Sequence, residues 1–244
     1  MVKFKSSSDP GFLSAVDGIA NIAKATLDSQ GRQPSHDGSD SEASAVVTFS
    51  GKQENLLSGL RRFDTVFLID DSDSMAGRKW ALVRAILQRA TTIAARYDDD
   101  GIDIQFLNDE NHNRSHITSS TLVMQTLASI TPNGSTPLGA QLQKHLRAYL
   151  IYFDEQERKR PNSARQRNII VLTDGVPDER QSMIKRTIVK AAKKLDKNDA
   201  VDEQLGIQFC VIGNEPGVAE FYSSLDNDLE QEEDLERDVS THRI

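Results

Sequence analysis

Apolar residues in this chain follow two rhythms. Short runs at Val66–Ile69, Ile102–Leu107, Ile169–Leu172 and Leu205–Ile212 have the length and β-branched content of strands. Between them, apolar positions recur every three or four residues. They fall at Trp80, Val83, Leu87, Ala90 and Ala94, at Leu142, Leu146, Tyr149, Leu150 and Phe153, and at Ile184, Ile188, Ala191 and Leu195. Shorter helices are expected over 121–130 and 218–229, a polar, turn-rich loop over 108–119, and a charged connection over 155–167. Strands alternating with helices of this length predict an α/β fold, with a central, mostly parallel sheet and helices on both faces. Val66, Phe67, Leu68 and Ile69 have no polar interruption, as expected of a strand covered on both sides.

Outside this pattern the chain changes character. Residues 1–27 read as a polar start followed by an amphipathic helix carrying Phe12, Val16, Ile19, Ala20, Ala23 and Leu27, either packed on the domain or fraying in solution. Residues 28–61 read as a flexible linker, rich in Ser, Asp and Gly, and a short helix around Leu56, Leu57 and Leu60. The α/β domain is expected over 62–229 and an acidic tail over 230–244. From Asn214 onward ten acidic residues face only Arg237 and Arg243, so this end holds the whole excess behind the net charge of −8. A neutral body argues against nucleic acid as the main partner. No run approaches 18 apolar residues, so no membrane span is expected. No secretory signal is read at the amino terminus, and the single Cys210, read as an inert core residue, suits a reducing compartment, so a cytoplasmic protein is expected.

Candidate chemistry gathers where strands end. Asp70-Asp71-Ser72-Asp73-Ser74 follows the first run, Thr136 lies in Gly134-Ser-Thr-Pro-Leu-Gly139, and Asp174 follows the third run in Thr173-Asp174-Gly175. In open α/β sheets, loops at the carboxyl ends of the strands form the ligand site. Asp70, Ser72, Ser74, Thr136 and Asp174 offer oxygen donors only, which suits a hard cation such as Mg²⁺ or Mn²⁺ better than zinc or copper. The hydroxyls add no charge, so a bound cation would stay able to accept one more carboxylate.

These residues resemble the von Willebrand factor A domain and its metal-ion-dependent adhesion site. That pattern is Asp-x-Ser-x-Ser, a Thr in a Gly-rich loop, and an Asp in a Thr-Asp-Gly turn. The resemblance covers about residues 62–225. It is similar to the stand-alone intracellular fungal members through Gly101-Ile-Asp-Ile-Gln-Phe-Leu-Asn108 and Ala191-Ala-Lys-Lys-Leu-Asp196. It implies a Rossmann-like fold, with Ser72, Ser74 and Thr136 on the ion and Asp70 and Asp174 bound directly or through water. A protein partner would complete the shell with a Glu or Asp, and no catalysis is implied. One departure stands out: the position between the serines is commonly Gly, and here it is Asp73, which tolerates a left-handed backbone less well.

Other readings compete. Asp71 and Asp73 have the spacing of a haloacid dehalogenase-type phosphatase, although Met75 and a lone Asp174 depart from that pattern. A scaffold with a vestigial metal site could instead engage partners through the acidic tail. His112 and His116 have the spacing of a helical zinc pair but fall in a loop, and Arg158, Lys159 and Arg160 read as a solvated connection. The sequence leaves the oligomeric state open. The Asp70 loop is expected at the surface, so that Asp70→Ala would remove a bound ion and spare the fold.

Overall fold

The computed structural model describes residues 62–97, 100–230 and 240–243. The amino-terminal helix and linker expected over 1–61, and most of the acidic tail, lie outside those residues. One six-stranded sheet organises the described chain. Its strands are β1 (Phe63–Ile69), β2 (Ile102–Phe106), β3 (Arg114–Ile117), β4 (Gln166–Thr173), β5 (Leu205–Val211) and β6 (Ser240–Arg243), in the order β3-β2-β1-β4-β5-β6. β3 runs antiparallel to β2, and every other neighbouring pair is parallel. This is the α/β class expected.

Period-two alternation along the strands divides the core. Phe67, Ile69, Ile104, Phe106, Ile170 and Leu172 face α1 (Arg78–Tyr97) and α2 (Ser120–Ala128). Val66, Leu68, Ile169, Val171, Ile207 and Phe209 face α3 (Leu138–Lys159), α4 (Gln181–Asp196) and α5 (Val218–Glu230). Both faces are therefore buried, which is why β1 and β4 read as unbroken apolar runs. From β1 the chain moves to β2 on one side and later returns to β4 on the other. The topological switch point thus lies between β1 and β4, and the crevice at their carboxyl ends receives Asp70 and Asp174.

Three elements differ from expectation. The polar stretch 108–119 contains β3, a short edge strand with three exposed residues that fails to alternate like a core strand. α3 runs on to Lys159, through what reads as a connection, because its last turns are amphiphilic and solvated. Arg158 and Lys159 there sit favourably at the negative end of the helix. Within the acidic tail, 240–243 returns as β6 beside β5, although those four residues carry no apolar signal.

Cys210 is buried in β5, opposite Leu172. Burial pushes its thiol up to about 12, so it stays protonated and inert at neutral pH. In the native full-length protein it should react with an aromatic disulfide reagent only at the rate of unfolding, and fully in denaturant. Rapid labelling without denaturant would show that the β5 side of the core is open.

Candidate metal centre

The loop after β1 is built around buried carboxylates. Asp70 has no exposed surface; its Oδ1 accepts the Ser72 N–H at 3.0 Å and its Oδ2 accepts the Thr173 hydroxyl at 2.6 Å. Burial pushes the Asp70 carboxyl above its ordinary pKa. The hydrogen bonds from Thr173 and Ser72 oppose that rise, and the charge of Asp174 adds to it. Asp71 points away from the other carboxylates. Its Oδ1 accepts from the backbone N–H and the side-chain Nδ2 of Asn108, and its Oδ2 accepts the Asp109 N–H at 2.9 Å. It stitches the β1 loop to the β2 loop.

Asp73 opens a 3₁₀ turn over Asp73–Met75 and points into solvent. Outside glycine, left-handed backbone among the described residues is confined to His116, Asn162 and Asp199. The departure at Asp73 therefore puts no strain into this loop. Its N–H donates to the Gly134 carbonyl at 3.1 Å, and the Asn133 N–H donates to the Asp71 carbonyl at 2.7 Å, so the first two loops are bound together. Gly134, at φ +108°, is needed there, because a Cβ would lie 2.9 Å from the Asn108 Oδ1.

The third loop clamps the second. Thr136 is buried, its N–H donates to the Asp178 carboxylate at 3.0 Å, and its carbonyl accepts the Asp178 N–H at 3.0 Å. Glu179 caps α3 from the same loop, accepting the N–H groups of Gly139 and Ala140, both at 2.9 Å. A side chain at Gly139 would collide with that carboxylate.

Ser72, Ser74 and Asp174 meet directly. The two hydroxyls are 3.1 Å apart, and the Ser74 hydroxyl donates to the Asp174 Oδ1 at 2.8 Å. Asp70 joins them through Thr173, the residue before Asp174. Thr136 arrives on the adjoining loop, held there by its backbone bonds to Asp178. Among the described residues no three or more His, Cys, Asp or Glu side chains gather as a metal cluster. A cation here would depend on the hydroxyls, and the set that the fold brings together is one of oxygens.

Several residues that shape the site escape sequence reasoning. Lys79, in the first turn of α1, reaches the Asp174 Oδ2 at 2.6 Å and the Glu215 Oε1 at 2.7 Å. Burial alone would lower its pKa, but the hydrogen bonds and charges of Asp174 and Glu215 together outweigh that and raise it. Nothing in the periodicity separates Lys79 from any other helix-surface lysine. Asp178, Glu179 and Asn108 likewise lack a motif, while Thr173 lies within the Thr-Asp-Gly turn. The histidine pair is not a helical one: the His112 Nδ1 lies 2.8 Å from an Asp109 carboxylate oxygen, and His116 lies on β3.

A family model for the von Willebrand factor type A domain matches residues 64–232. The chain belongs to that family. Among solved structures, manganese-loaded TRAP protein of Plasmodium vivax aligns with it at 16% identity and a TM-score of 0.42, over 75% of this chain and 68% of that one. None of the curated proteins matches the chain. The matched residues run from β1 to the end of α5, and β6 of this von Willebrand factor A domain lies beyond them.

Asp70 is not at the surface, contrary to expectation, and this changes what a mutation there does. Asp70→Ala should leave the Thr173 hydroxyl and the Ser72 N–H unpaired in the interior and destabilise the ion-free protein by about 1–3 kcal/mol. Asp70→Asn keeps the shape and can serve both partners, so it should stay within about 1 kcal/mol of wild type. Urea denaturation in chelator tests this, and equal stability of the two variants would contradict it.

Proposed function

We propose that this domain binds a divalent cation, Mg²⁺ or Mn²⁺, through Ser72, Ser74 and Thr136, with Asp70 and Asp174 bound directly or through water. The observation that carries the reading is the hydrogen-bonded line Ser72–Ser74–Asp174 at the switch point, next to the buried Asp70. A buried carboxylate whose pKa is raised by desolvation is a group that a nearby cation would stabilise. The clamp by Asp178 and the stitches by Asp71 and Gly134 hold the three loops in place, so little ordering remains for binding to supply.

The cation, when bound, would serve to accept a carboxylate oxygen. The protein's own side chains leave it partly positive, because most of them are neutral hydroxyls. The partner we propose is a protein that presents a Glu or Asp. The loops around the site carry Asp73, Asp178, Glu179 and Glu215 against Lys79, and without a divalent cation this acidic surplus would repel such a group. We further propose that the domain works by binding rather than catalysis, in an intracellular setting, as the single cysteine suggests. No described helix is long and apolar enough to cross a membrane.

The phosphatase reading draws less support. Asp71 is buried, and both of its oxygens accept hydrogen bonds from the β2 loop, so it does not face a substrate as a nucleophile must. Asp73 lies in the open, and among the described residues no side chain bonds to its carboxylate for acid–base work.

Calorimetric titration of chelator-stripped, full-length protein with Mg²⁺ and Mn²⁺ tests the proposal. One-to-one binding is expected, weakened about 10- to 100-fold or abolished in Asp70→Asn. Binding of equal strength in the variant, or none in the wild type up to millimolar ion, would contradict the assignment.

A further inference from the structure

Lys79 occupies an unusual place for a helix-surface lysine. Its ammonium lies on one oxygen of Asp174, while the other oxygen of Asp174 takes the Ser74 hydroxyl. Both oxygens of a residue assigned to the metal site are thus engaged, one of them by a fixed positive charge. The ammonium also has a second acceptor, Glu215, on the loop after β5. The lysine stem runs along that loop, 3.5 Å from where a Cβ would sit on Gly213.

We propose that Lys79 is a tethered cation that competes with the divalent ion for Asp174, and that Glu215 is the seat to which it withdraws when the ion is bound. The inference rests on the metal-site reading and deepens it. Two positive charges cannot share one carboxylate at contact distance without strong repulsion, so loading must weaken the Lys79–Asp174 bond. A lysine suits this task better than an arginine. Its ammonium is a compact point charge on a flexible stem with three rotatable donors, and it needs only a small swing to exchange acceptors. Before loading, Lys79 neutralises Asp174 beside the buried Asp70 and so limits the repulsion between the two carboxylates. The cost of that arrangement is lower affinity for the ion.

The two partners therefore have opposite signs. Lys79→Met should bind Mn²⁺ more tightly, on the order of tenfold. Glu215→Gln should bind it several-fold more weakly, because Lys79 then has Asp174 as its only acceptor of the pair. In the double variant the loss from Glu215→Gln should shrink, since Glu215 acts through the lysine. The experiment is calorimetric Mn²⁺ titration of the four full-length proteins, with circular dichroism to confirm folding and Lys79→Gln as a second neutral replacement. Unchanged or weaker binding in both neutral variants would overturn the proposal. So would a Glu215→Gln penalty that persists in full without Lys79, which would make Glu215 a plain remote charge. If neither the wild type nor the Lys79 variants bind Mn²⁺, the metal site itself is wrong and the competition falls with it. Tight binding by wild type that is lost in Asp70→Asn but unaltered by Lys79→Met would retain the site and discard only the competition.

Discussion

Burying the Asp70 carboxylate at the carboxyl end of the central strand is the constraint around which this end of the molecule is built. A carboxylate without solvent needs donors, and the fold supplies one from its own loop, Ser72, and one from the neighbouring strand, Thr173. The second bond ties β1 to β4 across the switch point and fixes where Asp174 stands. Asp71 faces the other way and ties the same loop to β2. Two adjacent aspartates thus anchor one loop to both neighbours of the central strand, which leaves Ser72 and Ser74 placed rather than merely tethered.

The second and third loops extend this logic. Asp178 pairs reciprocally with the backbone of Thr136, and Glu179 closes the start of α3. Carboxylates in this region consequently do two different jobs. Asp71, Asp178 and Glu179 act as acceptors for backbone N–H groups and hold the loops. Asp70 and Asp174 face a shared space with hydroxyls. Counting acids in the sequence would merge these roles, whereas the hydrogen bonds separate them. Lys79 adds a positive charge where the shared space opens, so the described side chains bring both signs to that space.

The sheet was legible because burial on both faces gives β1 and β4 unbroken apolar runs and leaves β5 mostly apolar, and because α1, α3 and α4 keep a helical period against it. β3 and β6 were not legible, since strands of four residues, with one apolar residue in β3 and none in β6, are too short and too polar to imprint a pattern. The end of α3 was misread for the same reason: its last turns are solvated. At the site, the residues found from sequence were those in a dense local motif. Lys79, Asp178 and Glu179 act across 39 to 136 positions of chain, and nothing local in the sequence marks a partner so distant. Asp73 gave the opposite lesson. The 3₁₀ turn over Asp73–Met75 needs no left-handed residue, so the expected strain is absent.

The central claim is that these three loops form one cation site. The most direct measurement is anomalous diffraction at the manganese edge from crystals of the full-length protein grown with Mn²⁺. The account predicts a single strong peak among the side-chain oxygens of Asp70, Ser72, Ser74, Thr136 and Asp174, with Lys79 bonded to Glu215. A peak elsewhere, or no peak at a manganese concentration that saturates binding in solution, would contradict it.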